Sequence, residues 1–391
     1  MNFFKNNKII FIYFIYISLA TIFFLKSQTI HFPTKYTYTE WLINYEGGFI
    51  RRGLLGQVVY ELSNFFKVSI VTIILYFQIT AYLCYYFIFI YLFTKLELNF
   101  FWVIFIFSSI SFLYPLGELE SLGRKEIFVL LSFIIFSLIK PANIKNLFVI
   151  FFIFFGISNL IHEITFFYIH YYFLIIYLKS KMHIKKIIHI RYYVFTFLFI
   201  CFLIYLNSYL GQFAKIDEIV NSYLKLNIIV HSDLGAIGWL SKSFKWALLN
   251  TINKISIMGV LRYLYILLIY LIPILYFINI KKNKLHKYIS IKNLVFVSLL
   301  FSIPIYLLVL DWGRVTYLNY NFLMISIIFL FNNKLVDNSY INIRLNKLST
   351  LKKIIIFSMV NLMWGPKILL TDELGKVPLY KSFTKFLKFF I

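Results

Sequence analysis

Residues 44–53 read Asn-Tyr-Glu-Gly-Gly-Phe-Ile-Arg-Arg-Gly, so Glu46, Arg51 and Arg52 fall within seven residues around a glycine pair. An acid can take a proton from a reacting hydroxyl. Two arginines suit a phosphate, because the guanidinium fork makes paired, charge-assisted hydrogen bonds. Leu54, Leu55, Val58, Val59 and Leu62 then recur on one helical face. That pattern predicts a helix lying in a membrane interface, with free N–H groups at its start that favour an anion. The competing reading is a loop held to lipid headgroups by Arg51 and Arg52.

Three further clusters carry the same residue types. Glu118, Glu120, Gly123, Arg124, Lys125 and Glu126 crowd into a short turn that runs directly into apolar sequence at Ile127. A solvated turn of mutual salt bridges is the usual fate of such charges; Arg124, with Lys125 beside it, is the alternative anion contact. His162-Glu163 lies near Asn159 with apolar residues on both sides. Desolvation raises a carboxylate there unless a histidine or arginine pairs with it, and such a pair serves as a general base or a hydroxyl ligand. It could equally be a capping pair in a tight turn. His170, mid-span, reads as packed. Asp311-Trp312-Gly313-Arg314 offers an acid and an arginine three apart, which can clasp a helix end or bind substrate, and Trp312 suits an interface or a sugar-stacking platform. P-loop, GxSxG, HExxH and dinucleotide patterns are absent. Cys84 and Cys201 sit in apolar runs, with neither a disulfide framework nor zinc spacing. No metal ligand and no cofactor is assigned.

The elements that must position these residues are helices in lipid. Of 391 residues 61% are hydrophobic and 14% charged, and mean hydropathy is +0.82. No soluble domain of this size hides so much apolar surface. The expected fold is all-α, a polytopic transmembrane bundle of about 10–11 spans in one domain over 1–391. Runs of roughly 20 apolar residues place spans near 9–26, 68–94, 99–114, 126–140, 146–162, 164–178, 192–210, 258–280, 293–310 and 316–332, with an eleventh near 354–370. The first reads as an uncleaved span rather than a signal peptide. With the N-terminus inside, the cytoplasmic stretches hold 20 of the 39 Lys/Arg but only two of the 15 acids, Glu97 and Asp337. That asymmetry sets the orientation. The basic runs at 179–191 and 281–287 read as topology signals facing anionic lipid, and the net charge of +24 needs no nucleic acid. Thirteen acids fall on the outer side, which includes a first loop at 27–67 and a large loop at 211–257 whose second half predicts an amphipathic helix. Chemistry is expected there.

This layout resembles the GT-C superfamily of membrane glycosyltransferases. Glu46 stands where that family's first-loop acid would stand, and Arg51–Leu62 where its interfacial helix would. The chain also resembles O-antigen polymerases of the Wzy type in its span number, outer-loop arginines and large loop at 211–257. The family's adjacent pair of first-loop acids is missing, since Gly47 follows Glu46. The resemblance implies a polyprenyl phosphate or pyrophosphate sugar donor and a glycan acceptor, met within membrane lipid at the outer face of a bacterial inner membrane. In that scheme Arg51, Arg52, Arg124 and Arg314 bind phosphate, supported by Lys125, Glu118, Asp311 and Trp312. Glu46 or Glu163 is the base, and His162 is its partner. Two other classes use similar residues. A flippase for lipid-linked oligosaccharide would carry charges deep in its spans, which are nearly free of them. A membrane O-acyltransferase would need an acyl donor from the cytoplasm.

Overall fold

The computed structural model describes residues 8–184, 189–233, 235–280, 290–362, 365–369, 375 and 377–390. Parts of two basic stretches expected to be cytoplasmic, 185–188 and 281–289, lie outside the described residues. Among the described residues there is no strand, only the isolated bridges Ile280–Val336 and Gly365–Gly375. The elements used below are α1 (Lys8–Gln28), α2 (Tyr36–Trp41), α3 (Gly53–Phe66), α4 (Ile70–Phe93), α5 (Glu126–Leu138), α6 (Ile144–Ile161), α7 (Ile190–Ser208), α8 (Ile257–Phe277), α9 (Ile291–Leu308) and α10 (Trp312–Asn332).

Among the described residues seven helices are long and apolar enough to cross a membrane: α1 with its extension to His31, α4, α6, α7, α8, α9 and α10. Where the expected spans differ from these, polar side chains explain part of the difference. The run at 99–114 is a helix only over Phe100–Ile106. Ser108, Ser109 and Ser111 follow, all buried. The Ser108 hydroxyl accepts from Ile110 N at 3.4 Å, a local bond that competes with a helical backbone, and that of Ser109 donates to the distant Asn361 O at 3.1 Å. The run at 164–178 opens as a 3₁₀ turn, Glu163–Tyr168, before the helix Ile169–Lys179. The run at 126–140 is the 13-residue α5; of the eleventh, near 354–370, the described part holds the end of the helix Thr350–Asn361, and 363–364 and 370 lie outside the described residues. Side-chain caps start three of the long helices: Asn143 for α6, Ser256 for α8 and Ser290 for α9.

The contacts divide the chain into two units, and α1 and α4 each contribute residues to both. One unit comprises Met1–Ile22, Tyr86–Leu122 and Ala247–Ile391. Its central helix is α10, with every residue from Trp312 to Leu330 buried. Asn319 of α10 binds α9 on the same face twice: Ser298 Oγ lies 2.7 Å from its Oδ1, and its Nδ2 lies 3.3 Å from Ser302 Oγ. Phe112 meets the rings of Phe89 and Phe14 at 4.8 and 5.3 Å.

The other unit comprises Phe23–Tyr85 and Gly123–Trp246. Here α5 and α6 pack side by side, with Ser132 Oγ donating to Phe154 O at 3.0 Å and Tyr172 filling the space between Phe133, Phe136 and Phe155. Outside this core α7, one of the helices long and apolar enough to cross a membrane, leaves Phe195, Phe197 and Leu198 more than half exposed. The expected helix after Arg52 is present as α3. Its buried face is Leu55, Gly56, Val59, Tyr60 and Ser63, while Phe65 and Phe66 are exposed. The loop expected at 211–257 contains the helices Ile216–Leu224, Gly235–Gly238 and Phe244–Ile252.

Candidate functional site

Three segments of the second unit bring their charges to one place. The first is α2, whose residues Thr37 to Trp41 are all buried. Trp41 Nε1 donates to Gly123 O at 2.8 Å, and Gln78 Nε2 donates to the same oxygen at 2.8 Å. Gly123 has φ +83°, a left-handed conformation that a Cβ would strain; one there would also come within 2.8 Å of Gln78 Nε2. This bend aims Lys125 and Glu126 back at α2. The second segment is the start of α3. Arg52 caps it with φ 65°, also left-handed, and its carbonyl accepts from Lys125 Nζ at 2.7 Å. The third is the break between α6 and the 3₁₀ turn, which leaves His162 and Glu163 side by side at the helix end.

The side chains interlock. Arg52 Nε donates to both Glu163 oxygens at 2.9 and 2.8 Å, and its Nη2 lies 2.5 Å from Oε1. Arg52 Nη1 is 3.6 Å from Glu40 Oε1. His162 Nε2 faces Glu40 Oε1 at 3.3 Å and Glu126 Oε1 at 3.4 Å, while Nδ1 faces Glu163 Oε2 at 3.4 Å. Arg51 is looser, at 4.0 Å from Glu163, and donates to Trp239 O at 3.0 Å. A third of its side chain is exposed, against 15% for Arg52.

Burial disfavours every charge here, and the neighbours decide which survive. Burial pushes the Glu163 carboxyl up, but Arg52 and His162 outweigh it and hold the group well below the usual carboxylate range. Glu40 is pushed up by burial and by the facing Glu126, yet ends below its ordinary value through His162 and Arg52. Burial lowers His162, as does Arg52, but Glu163 and Glu126 reverse this and push it up to about 9. Lys125 goes the other way: burial brings its amine down to about 7 despite Glu40. Arg52 is raised well above its ordinary value, since Glu163 outweighs burial. The cluster therefore holds ionised carboxylates against arginine and imidazolium, with one amine able to exchange its proton near neutrality.

No family model, no curated protein and no solved structure matches this chain. What the site is must be argued from its own groups.

Of the residues singled out in the sequence, Arg51, Arg52, Lys125, His162 and Glu163 come together here. Arg124 is buried beside them with its guanidinium 4.6 Å over the Tyr36 ring. Glu46 is exposed and accepts from Gln57 Nε2 at 3.0 Å. Glu118, Asp311, Trp312 and Arg314 belong to the other unit. There Glu118 pairs with Lys381, and Arg314 Nη2 lies 3.1 Å from Asp311. Trp312 is buried, its Nε1 donates to Tyr306 O at 2.8 Å, and its ring meets Tyr263 and Tyr306 edge-on. Sequence reasoning missed Glu40 altogether and left Glu126 without a role. The signal for Glu40 was present, because a carboxylate followed by Trp41-Leu42-Ile43 has nowhere polar to go without a partner.

Proposed function

We propose that this chain is a membrane glycosyltransferase that uses polyprenyl-phosphate- or pyrophosphate-linked sugars at the outer face of a bacterial inner membrane. The observation that supports this most directly is the division of labour between the adjacent arginines. Arg52 is consumed in its fork with Glu163, whereas Arg51 keeps a third of its side chain exposed and touches Glu163 only at 4.0 Å. An arginine held at the edge of a buried charge cluster, beside the start of a helix, is a phosphate ligand in waiting.

In glycosyl transfer the bond from the sugar carbon to the phosphate oxygen breaks, and its electron pair leaves on the phosphate. The acceptor oxygen bonds to the same carbon and gives its proton to a base. Arg51, backed by Arg124 and Lys125, would offset the charge that grows on the departing phosphate. A carboxylate forked by arginine is a weak proton acceptor, so the reading assigns the base to Glu46 and makes Glu163 a positioning residue for Arg52 and His162.

The test follows glycan length on a gel in membranes carrying each variant, with protein level checked in parallel. Glu46→Gln should cut turnover roughly 100-fold or more with donor binding retained. Arg51→Ala should weaken both binding and extension, because its contact with phosphate exists before the transition state. Wild-type polymer from Glu46→Gln would overturn the assignment of the base. Unextended lipid-linked units held on the cytoplasmic leaflet would indicate a flippase instead.

A further inference from the structure

We propose that Glu40, Glu126 and His162 form a divalent-metal site of the size and donor set that zinc takes. One donor atom from each residue lies within 4.8 Å of the other two. His162 Nε2 stands 3.3 Å from Glu40 Oε1 and 3.4 Å from Glu126 Oε1, and the two carboxylates offer oxygens within 4.8 Å of each other. Zinc bonds of about 2.0–2.2 Å in a tetrahedron set neighbouring ligand atoms roughly 3.3–3.6 Å apart. Octahedral bonds of about 2.1 Å would set them closer, at roughly 3.0 Å. Hydrogen bonds from an imidazolium to a carboxylate would be shorter still, at about 2.7–2.9 Å. Nε2 also has a single proton to divide between two oxygens. At these separations the oxygens of Glu40 and Nε2 of His162 are left without a well-formed hydrogen bond, although Glu40 is fully buried and His162 is 2% exposed. A cation between Nε2, Glu40 Oε1 and Glu126 Oε1 would take the place of the imidazolium proton there.

At the opposite edge of the ring His162 Nδ1 accepts from Ile164 N at 3.2 Å and lies 3.4 Å from Glu163 Oε2, and Glu163 is held in turn by Arg52. With an ion on Nε2 the ring proton would sit on Nδ1 and turn to that carboxylate, the arrangement that orients metal-bound histidines. Arg52 Nη1 stands 3.6 Å from the Glu40 oxygen that the ion would use, so ion and guanidinium share that carboxylate. Three protein ligands leave a position for a water or substrate oxygen, as in catalytic zinc sites. The inference does not rest on glycosyl transfer, since its readout is the metal itself.

The experiment uses the full chain, purified in detergent, stripped with chelator and reloaded with zinc before its metal content is measured. Wild-type protein should retain about one zinc ion per chain. Glu40→Gln and His162→Gln, checked as folded by size-exclusion chromatography, should lose it. Glu163→Gln keeps all three ligands and should bind zinc with about 10–100-fold lower affinity. Cobalt in place of zinc should give wild-type protein the visible bands of a tetrahedral ion, and Glu46→Gln should leave them unchanged. Wild-type protein retaining less than about a tenth of an equivalent after loading would overturn the site. So would folded His162→Gln that binds as much zinc as wild type. If the ligand variants do not fold, the wild-type cobalt spectrum and the Glu163→Gln affinity decide.

Discussion

Arg52 gives Nε and Nη2 to Glu163 and turns Nη1 toward Glu40, an arrangement a lysine cannot reproduce from a single ammonium. Both partners are mostly buried, so removing one strands the other's charge in a poorly solvated place. Arg52→Ala or Glu163→Ala should each destabilise the folded protein by about 3–5 kcal/mol. The double variant should cost less than the sum of the singles by about 0.5–3 kcal/mol, because the two changes share one interaction. Thermal unfolding of the four proteins in one detergent measures this cycle. Strict additivity would mean that the fork contributes nothing. Arg52→Lys should fall close to Arg52→Ala rather than to wild type, since charge without the fork restores little.

The start of α3 reaches the cluster because its early turns carry glycine where other residues would collide. A Cβ on Gly56 would lie 1.8 Å from Ile43 O and 2.7 Å from Trp41 O, both backbone atoms that cannot step aside. Gly56→Ala should therefore lift α3 away from the 41–43 segment and carry Arg51 and Arg52 with it. The expected result is loss of glycan extension together with a lower unfolding temperature. An active, stable Gly56→Ala protein would show that α3 can shift without moving the arginines. In the other unit α9 and α10 are joined by Tyr306 with Trp312 and Thr316 and, further along, by one amide, Asn319 between Ser298 and Ser302. Interhelical hydrogen bonds in lipid average about 0.6 kcal/mol and reach about 1.7. Asn319→Leu should cost an amount in that range in a stability assay in bilayers, and a much larger loss would give the amide a further role.

For the whole molecule, the uneven placement of Lys and Arg makes a prediction about sidedness. In a background free of Cys84 and Cys201, single cysteines at Ser27 and Ser232 should react with an impermeant thiol reagent from outside. Cysteines at Ile184 and Asn283 should react only after the membrane is opened. Labelling at Asn283 from outside would reverse the orientation and move the charge cluster to the cytoplasmic face. Seven helices of crossing length are compatible with that orientation only if shorter elements such as α5 and Ile169–Lys179 also traverse part of the bilayer. A 13-residue helix rises about 20 Å, short of a hydrocarbon core about 30 Å thick.

What the sequence determined by itself was the helical class and the positions of most long helices, because apolar runs report local burial residue by residue. It also marked Arg51, Arg52, Lys125, His162 and Glu163, since charges at the ends of apolar runs are costly unless paired or used. It could not say which charge meets which. Glu40 and Glu126 flank His162 although 86 residues separate them in sequence, a neighbourhood made by the Trp41–Gly123 bond and the left-handed turn at Gly123. Nor could it separate the two arginines. Adjacent and identical in type, they differ because the Arg52 backbone is left-handed and turns its side chain onto Glu163, while Arg51 stays at the edge. Pairing of charges is set by chain paths through space, and a linear pattern carries no measure of those.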